Sequence, residues 1–177
     1  KEFLEKIRPN SDKSGGAMRA CPLGVLPSTN EVIYRATIQA SLTHDTNDGI
    51  AAARASALST HFFLHHYGKP KELPEFIQDM VGDGVTYNWS TPYKGKVGSK
   101  GHMSVRAAIT AIARNNKLSA CLKDCIDFSG DVDTVATIAM AAASCSPDYE
   151  KDLPQPLIET LRNDDFGRDY LIELDGK

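Results

Sequence analysis

Ser129-Gly130-Asp131-Val132-Asp133-Thr134, running straight into Val135-Ala136-Thr137-Ile138-Ala139-Met140-Ala141-Ala142-Ala143-Ser144, is the stretch on which the reading of this chain turns. A glycine turn, two carboxylates and a hydroxyl stand at the mouth of a helix built from small residues. Asp131 and Asp133 are two apart, so within a helix they point to different faces, whereas from a turn entering it they converge. Converged, they offer the hard oxygen ligands that Mg²⁺ or Ca²⁺ takes, with the Thr134 hydroxyl as a further oxygen. The same residues also read as a plain helix start, with Asp131 or Asp133 as N-cap and the acids complementing the helix dipole. Both readings put a helix here.

That helical texture extends outward in both directions. Upstream, Ser119 caps a helix to Phe128, and another opens at Ser104, with Val105, Ile109 and Ile112 on one face, and ends near Asn115-Asn116. Ser28-Thr29-Asn30-Glu31 is a capping-box pattern, and Val32, Ala36, Ile38 and Ala40 continue it toward His44. A helix is expected from about Ile50 to Tyr67, with Gly68 as its stop, and a shorter one over Leu73 to Val81 with Pro74 in its first turn. Residues 1–8 read as the tail of a helix that begins outside this chain. Downstream, Ser146-Pro147 ends the alanine helix, and Leu157 to Arg162 and Tyr170 to Leu174 form short closing helices.

One segment breaks the pattern. Gly82 to Gly101 is rich in glycine and nearly empty of periodic apolar residues, a loop long enough to serve as a lid or binding loop. Its Tyr87, Trp89 and Tyr93 suit either a planar ligand or packing beneath the loop. No strand set and no internal repeat accompany it. The fold class is therefore all-α, with residues 1–177 as a single domain.

Composition excludes several function classes. A hydrophobic share of 41% and a charged share of 24% are those of a globular chain, not a disordered one. The net charge of −3 argues against a general nucleic-acid surface. No apolar run approaches the roughly 20 residues of a membrane span. Lys1 to Arg8 is charged throughout, unlike a signal peptide. Cys21, Cys121, Cys125 and Cys145 sit among small apolar neighbours, as reduced thiols of a cytoplasmic protein do.

Three further groups carry chemistry. Ser14-Gly15-Gly16-Ala17-Met18-Arg19-Ala20-Cys21-Pro22-Leu23-Gly24 holds consecutive glycines, which either cradle an anion such as a diphosphate in a nest of N–H groups or turn the chain between two helices. His44, in Ser41-Leu42-Thr43-His44-Asp45, either neutralises a helix C-terminus or donates to a sugar hydroxyl or phosphate. His61 with His65, and Cys121 with Cys125, are i, i+4 pairs that could together form a tetrahedral zinc site; core thiols and a helix-end histidine cluster are the competing reading. Nothing marks a cysteine nucleophile.

Taken in order, the Ser14–Gly24 segment, Leu42-Thr43-His44-Asp45 and Gly130-Asp131-Val132-Asp133-Thr134 resemble the ADP-ribosylglycohydrolase family, over roughly Ser14 to Ser144. The resemblance implies a compact all-α fold, a centre of two Mg²⁺ ions and hydrolysis of an ADP-ribosyl bond. Asp131, Asp133 and Thr134 match the family's C-terminal metal ligands. Gly15, Gly16, Ala17 and Met18 match its segment around the diphosphate and ribose, with Ser14 where the family often has asparagine. His44 matches a histidine near the bound ligand. The implied partner is ADP-ribose or an ADP-ribosylated protein, removed by metal-activated water with a carboxylate taking its proton.

The chain also departs from the family. Members carry an N-terminal portion with an acidic residue and a Thr-Asp-Asp metal motif, whereas residues 1–13 hold Glu2, Glu5 and Asp12 but no such motif. Three family-type ligands are too few for two six-coordinate ions without many waters. Three expectations follow: this is the C-terminal portion of a longer fold, or a second chain completes it, or catalysis is lost. The last would leave an ADP-ribose-binding or structural protein on the same fold. An incomplete core would also expose apolar surface.

Overall fold

Alanine sets how closely the helices of this chain approach one another. The computed structural model describes Lys6 and residues 9–82 and 84–176. Among them run α1 (Gly15–Ala20), α2 (Thr29–Ser41), α3 (Asn47–Leu64), α4 (Leu73–Val81), α5 (Gly101–Arg114), α6 (Leu118–Asp127), α7 (Val132–Ala143), α8 (Gln155–Glu159) and α9 (Arg168–Asp175), with 3₁₀ turns at Cys21–Val25 and Pro70–Glu72. Extended pairing among the described residues is confined to isolated bridges, so the all-α expectation holds. The helix tail expected over residues 1–8 lies outside the described residues except at Lys6, which is helical.

α3 is the axis. Ala51, Ala52, Ala53, Ala55 and Ala57 are buried together with Leu58, Phe62 and Phe63, so the helix is enclosed on every side. α1, α2, α4, α5 and α7 all pack against it, and α6 closes the far side by packing on α5 and α7. Small side chains let those backbones come near, while the larger residues fill the gaps, each worth roughly 1.5–3 kcal/mol when fully buried.

Several boundaries differ from the sequence expectation, each for a local reason. α3 starts three residues early because the Thr46 side chain accepts from the Gly49 N–H at 3.0 Å and caps it. It stops at Leu64 rather than Tyr67. His66 takes the left-handed conformation at φ 56°, and Tyr67 N–H reaches back to Phe62 O at 2.9 Å, so histidine rather than Gly68 supplies the terminating turn. α5 begins at Gly101, ahead of Ser104. Ser119 is not the cap of α6 but lies inside its first turn. Its N–H (2.9 Å) and hydroxyl (2.6 Å) both donate to Asp152, a carboxylate 33 residues away.

The loop of residues 82–101 is tied down. Trp89 and Tyr93 are buried, Trp89 N–H donates to Gln78 Oε1 at 2.7 Å, and Tyr93 N–H donates to Thr110 Oγ1 at 2.8 Å. Two of its aromatics thus pack inward instead of awaiting a planar ligand. Apolar side chains that remain exposed gather on α2 (Tyr34, Ile38, Leu42) and near the chain's end (Phe166, Leu171, Ile172). α8 and α9 bury no side chain and are held largely by bonds within residues 155–176, such as Arg168 Nη1 to Glu159 O at 2.9 Å.

Candidate active site

The turn into α7 is held by the loop in front of it. Val97 N–H donates to Ser129 O (3.0 Å) and Asp131 N–H to Val97 O (3.2 Å), forming a parallel bridge at Gly130. Gly130 sits at φ 87°, and a Cβ there would run into the Val97 carbonyl oxygen, so only glycine fits. Asp131 occupies the N-cap position without a side-chain cap bond. Its carboxylate turns sideways instead: Oδ1 accepts from Thr134 Oγ1 at 3.0 Å and Oδ2 from Ser104 Oγ at 3.3 Å. Asp133 is exposed in the first turn of α7. Among the described residues, neither aspartate forms an ion pair with a lysine or arginine.

This donor set suits a hard divalent cation. Every ligand atom is oxygen, the charge is uncompensated, and the 3.0 Å between Thr134 Oγ1 and Asp131 Oδ1 is that of neighbouring oxygens around an octahedral ion with bonds of about 2.1 Å. Asp131, Asp133 and Thr134 could hold such an ion, with Ser104 behind Asp131. No group of three or more His, Cys, Asp or Glu side chains arranged for a metal occurs among the described residues.

The zinc arrangement does not form among the described residues. His61 is wholly buried on α3 with Nδ1 held 3.0 Å from Gly24 O, and its ring lies tilted against His65 with centroids 4.2 Å apart, while Cys121 and Cys125 are buried thiols of α6. The core-thiol reading stands.

The glycine segment differs in conformation from the nest its sequence suggests. Ser14 is right-handed at φ −73°, neither Gly15 nor Gly16 has positive φ, and the stretch forms the first turn of α1. Ala17 N–H (3.0 Å) and Met18 N–H (3.1 Å) return to Ser14 O, while the N–H groups of Gly15 and Gly16 have no acceptor among the described residues. Glycine at position 16 has another use: a Cβ there would lie 3.1 Å from Cγ of His44, so the ring beside it would have to give way.

His44 is only 7% exposed, and burial first, then the Arg19 charge, lower its pKa from the ordinary 6.5 against an opposing pull from Asp12. A neutral ring does not act as a cation for the C-terminus of α2, so that reading falls. Nearby, Asp12 pairs with Lys100 at 2.9 Å, which draws its carboxyl below the usual range.

The two motifs meet. Thr134 Oγ1 lies 3.5 Å from Met18 Sδ, joining the head of α7 to α1 across 116 residues of sequence. Asp12 O accepts the Gly101 N–H at 2.9 Å, which brings the segment before α1 against the head of α5 and, one turn on, to Ser104. An open cavity of about 400 Å³ adjoins this corner, lined by Asn10, Asp12, Thr46, Asn47, Asp48, Val85 and Thr86. Behind it Tyr87 stacks on His102 (centroids 4.3 Å apart), and burial and the Asp48 carboxylate raise the Tyr87 pKa. A larger cavity of about 560 Å³, bordered by Lys69, Lys71 and Arg114, shares no residue with this corner.

Ser104 and Asp48 escape a sequence reading, because nothing local to either marks a partner far along the chain. Ser104 carried a signal only as a helix start. A model of the family described as ADP-ribosylglycohydrolase matches residues 2–176, past both ends of the 14–144 stretch on which the motifs lie. No curated protein matches the chain.

Proposed function

Since the chain belongs to the ADP-ribosylglycohydrolase family, we propose that it hydrolyses the glycosidic bond between ADP-ribose and a modified protein side chain, with Mg²⁺ at Asp131, Asp133 and Thr134. The observation that carries this reading is the contact of Thr134 with Met18, which sets the carboxylate turn against the glycine segment. A nucleotide sugar spanning them would lay its diphosphate by the free N–H groups of Gly15 and Gly16, beside Ser14, Ala17 and His44, and its distal ribose by the turn. When bound, the cation supplies Lewis-acid chemistry that orients ribose hydroxyls and eases deprotonation of water. Asp131 would be held in place for this by Ser104, and Gly130 would keep the carboxylate aimed out of the helix. The four free thiols fit a cytoplasmic setting, and no helix of the described residues is long and apolar enough to cross a membrane.

The test is Asp131→Ala with Asp133→Ala. Mg²⁺-dependent release of ADP-ribose from a modified protein should fall by about a hundredfold or more, since direct ligands matter at least as much as their supporting shell. Unchanged turnover refutes the assignment. A second reading rests on the missing third carboxylate: ADP-ribose binding without hydrolysis. Calorimetry showing binding strengthened by Mg²⁺, together with intact ADP-ribose afterwards, would favour it.

A further inference from the structure

His44 is wired from behind by residues that nothing above assigns to the site. Arg19 Nη2 donates to Thr43 Oγ1 at 2.7 Å, and Thr43 Oγ1 lies 2.7 Å from His44 Nδ1. A guanidinium only donates, so the Thr43 oxygen accepts from Arg19 and keeps its own hydrogen to give away. Its near acceptor is His44 Nδ1. Were Nδ1 protonated, the exposed Thr43 hydroxyl would receive two donors and its hydrogen would be left to solvent. The arrangement that uses every group within the protein has Nδ1 as the acceptor and the ring proton on Nε2. Gln39 closes the circuit: its Oε1 accepts from Arg19 Nε at 3.3 Å and its Nε2 donates to Gly16 O at 2.9 Å, tying Arg19 to the glycines against which the ring lies.

The opposite edge of the ring is open. Nε2 has no partner among the described residues and is not sealed from solvent, and it lies beside Gly15, whose Cβ position would be 3.8 Å away. One nitrogen is thus committed to the protein and the other is left for something else. Burial and the Arg19 charge both oppose a second proton on the ring, which keeps the arrangement neutral.

We propose that Arg19 and Thr43 are positioning residues that hold His44 as its Nε2–H tautomer, so that the ring meets an acceptor-rich ligand, a phosphate or a ribose oxygen, as a hydrogen-bond donor. The ligand half of this statement rests on the ADP-ribose reading above; the tautomer half does not.

The experiment is long-range ¹H–¹⁵N correlation of the histidine rings in the full chain at neutral pH, with His44 assigned by its loss in His44→Gln. The expected pattern is a neutral ring protonated at Nε2. Thr43→Val should admit the Nδ1–H form and weaken ADP-ribose binding about tenfold, the scale of one hydrogen bond, and Thr43→Ser should restore both. Arg19→Leu, which spares the hydroxyl, should also let the Nδ1–H form appear and serves if Thr43→Val does not fold. A wild-type ring protonated at Nδ1, a charged ring, or Thr43→Val and Arg19→Leu variants with an unchanged tautomer would each overturn the proposal. The stated tautomer in a chain that binds no ADP-ribose overturns the donor role and the ligand reading together, while leaving the tautomer assignment intact.

Discussion

Two sides of the candidate site face each other, and they are finished to different degrees. On the histidine side the polar groups bond to one another: Arg19, Gln39, Thr43 and the Gly16 carbonyl close a circuit behind His44. On the carboxylate side Asp131 receives only two hydroxyls, Asp133 none, and neither an ion pair among the described residues. Some acids elsewhere are matched, Asp12 by Lys100, Asp127 by Lys123 and Glu150 by Lys117. On the proposed function, this pair, left without a cationic side chain at the positive end of a helix, would take a cation that arrives from solution. On that proposal, one side is preorganised by the protein and the other would be completed by a ligand.

The comparison breaks most severely at Gly130. Gly130→Ala forces a Cβ onto the Val97 carbonyl at a left-handed φ, combining backbone strain with overpacking, and should cost about 3 kcal/mol in urea denaturation. Because the same bridge positions Asp131, Mg²⁺ binding should go with it while the Nε2–H signal of His44 persists. If both sides fail together, they are one unit and the contrast drawn here is false.

A gentler probe acts on the carboxylate side alone. Mg²⁺ at ten times its Kd should stabilise the native chain by about 1.4 kcal/mol, raising Tm by about 4 °C for a protein of this length. Asp131→Asn with Asp133→Asn should abolish the rise. A rise that survives both changes would place the cation elsewhere.

How much of this was legible beforehand follows from distance along the chain. The carboxylate turn announces itself because Gly130, Asp131, Asp133 and Thr134 are neighbours whose spacing has chemical meaning, and the small-residue helix behind them is read from its own texture. The glycine segment was legible as important but not in its reason: Gly16 is small to admit the His44 ring, a contact 28 residues distant. Thr43 stands in the Leu42–Asp45 motif with no role of its own legible there, because its partner Arg19 lies 24 residues earlier. Asp152 capping α6 and Ser104 behind Asp131 were hidden likewise, since each is defined by a partner more than 25 residues away. His66 ending α3 defeated a rule that assigns such turns to glycine.

The smallest effect lies on the histidine side and is read through pH. His44, His61 and His102 all have pKa values lowered by burial, reinforced at His44 by Arg19 and at His61 by His65. When a base is harder to protonate in the folded chain, the unfolded chain binds more protons as pH falls through about 6.5, so stability declines in that direction. Between about pH 7 and pH 5 the urea midpoint should therefore drop, before the carboxylates with lowered values, Asp12, Asp152 and Asp169, begin to contribute. His44→Gln should flatten that slope by removing one of its three sources, and Arg19→Leu should flatten it less, because burial, the larger cause, remains. An Arg19→Leu slope as steep as the wild type would mean that the guanidinium does not govern the charge of His44. Its bond to Thr43 would then be packing alone, and the histidine side would be no more preorganised than the turn it faces.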